Sequence, residues 1–203
     1  MIGAVAVRVY VCLFDLPAYD RRVAPALRLY GAKFDPSGVV SLLQDISRIL
    51  TELHRDPDRK VPDSDDCQHW IDAIEPDAGH KPSDATLAEL AGMLIQNLCV
   101  PHGLGFNPMR DVDAFVPYLS DRSEWFADLM DGGEELAGGR LEFTFGDGSL
   151  IATRQQIQQF LGEVTRVEPP PGDAAAGYLD FRKLLAAAAA NKNYTLLKTG
   201  VRS

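Results

Sequence analysis

The run of alternating residues near the start of the chain most tightly constrains how it can fold. From Val5 to Leu13 one face carries Val5, Val7, Val9, Val11 and Leu13, and the other carries Ala6, Arg8, Tyr10 and Cys12. Successive side chains of a strand point to opposite faces of its sheet, so a run this apolar on both faces belongs in the middle of a sheet. The stretch Ile2 to Phe14 is apolar enough for an export signal, but it lacks a basic leading segment, contains Arg8 and runs straight into Asp15-Leu-Pro17. It reads as a strand.

Helical periodicity takes over from there. Asp15 and Pro17 offer a cap and a first-turn proline for a short helix with Leu16, Val23, Leu27 and Leu29, in which Pro25 is a candidate break. Asp35-Pro36 opens the clearest helix, whose apolar stripe is Val39, Leu42, Leu43, Ile46, Ile49, Leu50 and Leu53. Residues 54–66 then turn charged and proline-broken, which predicts a solvated loop. Cys67, Trp70, Ile71 and Ile74 mark a short helix, and Ser83 starts another with Leu87, Leu90, Leu94, Ile95 and Leu98 inside. A Gly/Pro-rich loop from Val100 to Arg110 follows. Two short helical patterns come next, one on Val112, Phe115 and Leu119 and one on Trp125, Phe126, Leu129 and Met130, before the glycine-rich Gly132 to Gly139.

Leu141 to Phe145 alternates, Gly146-Asp-Gly148 is a positive-φ turn signal, and Ser149 to Ala152 is the expected return strand of a hairpin. Thr153 and Gln156 match a capping box for a helix with Ile157, Phe160, Leu161 and Val164 inside. A stiff Pro-rich connector is expected over 166–176, then a helix on Tyr178, Phe181, Leu184, Leu185 and Ala188, and a closing strand from Tyr194 to Val201. The alanine-rich helix end, Asn191-Lys-Asn193 and Tyr194-Thr-Leu-Leu197 resemble the ends of small bacterial domains similar to YfbM; the likeness stops there and implies no function.

These elements predict an α+β fold, with a mixed, mostly antiparallel sheet of about four or five strands covered by helices. The 203 residues fit one domain spanning 1–203, two smaller ones being the alternative.

Charge narrows the partners. With 29 acidic against 20 basic residues the net charge is −9, which repels phosphate backbones and anionic lipid and steers basic surfaces inward. Nucleic acid and membrane are therefore excluded, and a basic protein partner is expected. No stretch approaches the ~20 apolar residues that span a bilayer. The three cysteines form no dense framework, which suits reduced thiols in a cytoplasm better than a secreted disulfide scaffold.

Reactive motifs are weak throughout. Cys67-x-His69 with Cys99-x-x-His102 could supply a tetrahedral zinc shell, but one residue between ligands is tighter than zinc knuckles use, so packed thiols with surface histidines are expected and no metal is assigned. A cysteine nucleophile would need Cys67 or Cys99 beside His80 or His102, and Cys12 lies among apolar strand residues. There is no Gly-x-Ser-x-Gly elbow, and Gly103-Leu-Gly105 lacks the third glycine of a dinucleotide loop. Asp63-Ser-Asp65-Asp66 and Asp111-Val-Asp113 lack a calcium loop's ligand pattern, and Asp65 or Asp66 and Asp111 are expected as helix caps. Trp70 and Trp125 are expected in the core.

No catalytic residue and no cofactor is expected. The leading expectation is a non-catalytic protein-binding module, such as an inhibitor or immunity-type protein. It would mask a basic partner with an acidic surface built from Asp56, Asp58, Asp63, Asp65 and Asp66. The alternative is a small cysteine/histidine-dependent hydrolase or a zinc-binding domain.

Overall fold

The computed structural model describes residues 7–53, 65–75, 79–111, 118, 136–144 and 147–202. The chain divides into two compact units, one formed by Met1–Leu16 with Val100–Ser203 and the other by Pro17–Cys99. The two helical patterns expected around Phe115 and Trp125 lie outside the described residues, apart from Tyr118.

The first unit holds strands β1 (Val7–Asp15), β2 (Met109–Asp111), β3 (Asp147–Ile151) and β4 (Tyr194–Arg202), with helices α6 (Arg154–Arg166) and α7 (Ala174–Ala190). The strand order is β2-β1-β4-β3, and each neighbouring pair is antiparallel. The class is thus α+β. β1 takes the central place that its two apolar faces demand, paired along its length with β4 from Val7↔Arg202 to Asp15↔Tyr194.

On one face of this sheet Val11, Leu13, Leu150 and Leu196 pack with Ile157, Phe160 and Val164 of α6 and Tyr178, Phe181, Leu184, Leu185 and Ala188 of α7. Each such side chain contributes roughly 1.5–3 kcal/mol of burial when fully removed from water. The other face, with Cys12, Phe14, Ser149, Thr195, Leu197 and Thr199, is also buried. Its hydroxyls are satisfied: Ser149 Oγ donates to Thr199 Oγ1 at 3.0 Å and Thr195 Oγ1 to the Ala152 carbonyl at 2.6 Å.

Caps fix the helix ends. Thr153 and Gln156 form the expected capping box at the start of α6, with Gln156 N donating to Thr153 Oγ1 and Thr153 N to Gln156 Oε1. At the far end of α7, Arg154 donates through Nη1 to the carbonyls of Ala188 and Asn191 and through Nη2 to that of Ala189. One guanidinium so occupies carbonyls that a helix C-terminus leaves without partners. The Pro-rich connector is shorter than expected, because α6 runs to Arg166 and α7 begins at Ala174.

The expected hairpin is corrected. Leu141–Thr144 is not strand, while Asp147 and Gly148 fall inside β3 rather than in a turn, and β3 pairs with β4. Its other edge meets Gly138–Arg140 instead: Gly138 N donates to Ile151 O and Ile151 N to Gly139 O, both at 2.9 Å, and Arg140 bridges Leu150. Glycine decides this register. A Cβ at Gly138 would sit 2.5 Å from Ile151 O, so only a residue without a side chain lets the backbones meet, and Gly139 has φ +91°.

A helical run opens with α1 (Leu16–Ala18), whose first residue ends the first segment of unit one, then widens within the second unit into a π turn over Tyr19–Val23 and continues as α2 (Ala24–Lys33). Pro25 does not break the helix as expected. The preceding turn is wound to i→i−5, with Ala24 N bonded to Tyr19 O, and that wider winding accommodates a ring that would otherwise clash with the carbonyl four residues back.

α3 (Ser37–Leu53), α4 (Asp65–Ile74) and α5 (Asp84–Leu98) complete the unit. Asp35 Oδ1 accepts from Ser37 N at 3.0 Å, and the Ser37 side-chain and backbone hydrogen bonds hold the Asp35 carboxyl below the ordinary carboxylate value. α3 buries Val39, Val40, Leu42, Leu43, Ile46 and Leu50, closely matching its sequence stripe. Ser83 caps α5, its Oγ accepting from Thr86 N at 3.0 Å. Among the described residues no helix is long and apolar enough to cross a membrane.

Candidate binding cleft

In the second unit α3, α4 and α5 line a cleft of about 390 Å³. Its composition follows from helix geometry. On α5, Glu89, Gly92, Met93, Gln96 and Asn97 recur at intervals of three and four residues, so they share one face, while Leu90, Ala91, Leu94 and Ile95 are buried on the adjoining one. α4 contributes Asp66, Cys67 and Trp70, again within one turn of each other, and α3 contributes Leu50. Gly92, buried on α5, brings no side chain into this space.

The lining is apolar at Leu50, Trp70 and Met93 and polar at Asp66, Glu89, Gln96 and Asn97. Asp66, Glu89 and Gln96 are exposed, Trp70 is half-buried and Cys67 is buried. Asn97 Nδ2 donates to the Met93 carbonyl at 2.9 Å, which uses one N–H of that amide and fixes its orientation. Among the described residues no lysine or arginine lines the cleft.

Cys67 sits here as a buried thiol. Burial lifts its thiol above the ordinary value, and the neighbouring Asp66 carboxylate pushes the same way, so the reactive thiolate is suppressed.

The other sequence candidates disperse. Cys12, Cys67 and Cys99 are all buried and in no disulfide, whereas His69, His80 and His102 are exposed. Cys67 and His69 sit two residues apart on α4, a rotation of about 200° that turns them to different sides of the helix, so they cannot grip one ion together. Among the described residues no group of three or more His, Cys, Asp and Glu side chains converges in a way that could hold a metal ion.

Asp65 and Asp66 are the first two residues of α4, next to the segment that lies outside the described residues. Asp56, Asp58 and Asp63 lie outside the described residues, as does a helix beginning at Asp111, which ends β2. Trp70, expected in the core, instead lines the cleft. Sequence reasoning did not single out the α5 face. The signal available was Gly92 in mid-helix, a position that costs about 1 kcal/mol relative to alanine and so marks packing or function.

Comparison with known proteins finds no matching family model, no matching curated protein and no matching solved structure.

Proposed function

We propose that the chain is a non-catalytic protein-binding module, of the inhibitor or immunity type, that docks a basic partner on an acidic surface. The observation that carries this reading is the cleft of the second unit, which combines an indole and aliphatic side chains with two carboxylates and, among the described residues, no cation. Such a mixture suits recognition: apolar groups supply contact area, and uncompensated negative charge selects a basic partner. The net charge of −9 acts in the same direction at long range.

The chemistry of the thiols also favours binding over turnover. Cys67 is held protonated in the cleft, and the described histidines named above are exposed while the thiols are buried. Three buried cysteines outside any disulfide suit a reducing, cytoplasmic setting.

The test is capture from lysate of the source cell, comparing the native protein with a variant in which Asp56, Asp58, Asp63, Asp65 and Asp66 are all changed to Lys. A basic partner is expected on the native protein, released by salt and absent from the variant. Capture of the same partner by both proteins refutes the acidic-surface reading, and stoichiometric zinc that survives dialysis would support the zinc-binding alternative instead.

A further inference from the structure

We infer that the cleft between α3, α4 and α5 is a guanidinium site, which takes an arginine side chain of the protein partner over Trp70 and between the carboxylates of Asp66 and Glu89. The inference rests on the binding-module reading above and goes further by naming the group recognised and the residues that recognise it.

Four features of the lining select this ligand. Neither Asp66 nor Glu89 has a hydrogen bond or ion pair among the described residues, and each belongs to a different helix, so two elements each bring a carboxylate to one space. Trp70 is half-buried in the same lining, and an indole face is the best aromatic partner for a cation. Leu50 and Met93 offer apolar surface for an aliphatic stem. The Asn97 amide oxygen and the Gln96 side chain add acceptors, matching a group that only donates.

A planar guanidinium satisfies all four at once, because it stacks on an aromatic face and donates from its edge in several directions. An ammonium uses the charge but not the stacking, and an anion is repelled. The volume of about 390 Å³ exceeds what one side chain fills and admits the residues flanking it.

The probes are three short peptides, acetyl-Gly-Leu-Arg-Leu-Gly-amide and its lysine and citrulline counterparts, together with acetylarginine amide as the free small molecule. Binding is read by calorimetry on the native protein and by indole fluorescence in a Trp125→Phe background, where Trp70 is the remaining tryptophan of the two. The arginine peptide is expected to saturate, to bind several-fold tighter than the lysine peptide, and to weaken with salt. Citrulline keeps the shape without the charge and should bind at least tenfold more weakly. The pair Asp66→Asn and Glu89→Gln changes only exposed groups and should cost about tenfold in affinity, as should Trp70→Leu.

Arginine and citrulline peptides that bind equally, or an arginine peptide indifferent to D66N/E89Q, would overturn the site. Tighter binding of acetylarginine amide than of the peptide would overturn the protein-partner source. If lysate capture of a basic partner persists in D66N/E89Q, the guanidinium site fails while the binding-module reading stands. If no basic partner is captured by the native protein but the peptides still discriminate, the opposite holds.

Discussion

Tyr178 is the side chain whose removal the fold should feel most specifically. It is fully buried in α7, and its hydroxyl donates toward the carbonyls of Val164 at 2.5 Å and Val167 at 2.9 Å, where α6 ends. These carbonyls lie where α6 ends, so one phenol proton serves the Val164 carbonyl in the interior and the half-buried Val167 carbonyl beside it. Tyr178→Phe keeps the ring and deletes only this link. The loss of a buried hydrogen bond, with acceptors left behind, amounts to about 1–3 kcal/mol, which for a chain of this size is about 2–4 °C in Tm per kcal/mol.

The same side chain carries a pH signature. Burial raises its pKa above 10.0, partly opposed by Arg182 and assisted by Tyr118, so the unfolded chain releases this proton before the folded one does. Stability from Tyr178 is therefore complete below about pH 10 and falls as pH rises toward the folded value. Urea unfolding at pH 8 should show the native protein ahead of Y178F at equal m, with the gap narrowing above pH 10. A gap under about 0.5 kcal/mol at pH 8, or one that stays constant into the alkaline range, would refute the argument.

Two glycines should respond in opposite directions to the same change. Gly138→Ala forces a Cβ to 2.5 Å from Ile151 O and should cost about 1–3 kcal/mol, whereas Gly162→Ala in α6 meets nothing within 4 Å and should stabilise by about 0.5–1 kcal/mol, both read by urea unfolding. Cys67 should resist iodoacetamide at pH 7 in the folded protein and react once the chain is unfolded in urea; rapid alkylation of the folded protein at that pH would contradict a buried, protonated thiol.

What the sequence made legible was whatever is enforced locally. The two apolar faces of Val7–Asp15 put β1 inside the sheet, and Thr153 with Gln156 marked the start of α6, because alternation and capping act within a few residues. The Leu141–Phe145 pattern misled for the opposite reason: alternation cannot say which edge a strand will meet, and the choice fell to Gly138 and Gly139, whose lack of side chains admits Ile151. Trp70 was expected inside because its helical face is apolar, yet a face can line a cleft as well as a core. The lining of α5 stayed hidden because Glu89, Gln96 and Asn97 look like any solvated helix surface until α3 and α4 stand opposite it.

The pairing of β1 with β4 also dictates an order of assembly. The partners in that ladder are separated by roughly 190 residues, a distance across which closure is entropically expensive and slow to find. Pro17–Cys99, by contrast, is one continuous stretch and can condense as soon as it leaves the ribosome. Throughout that interval Val-Arg-Val-Tyr-Val-Cys-Leu-Phe waits without its long partner β4, a valine-rich ribbon that only the three-residue β2 can pair before then. A nascent-chain chaperone that holds this ribbon until Tyr194–Arg202 is synthesised would thus govern the yield of native protein more than any later step.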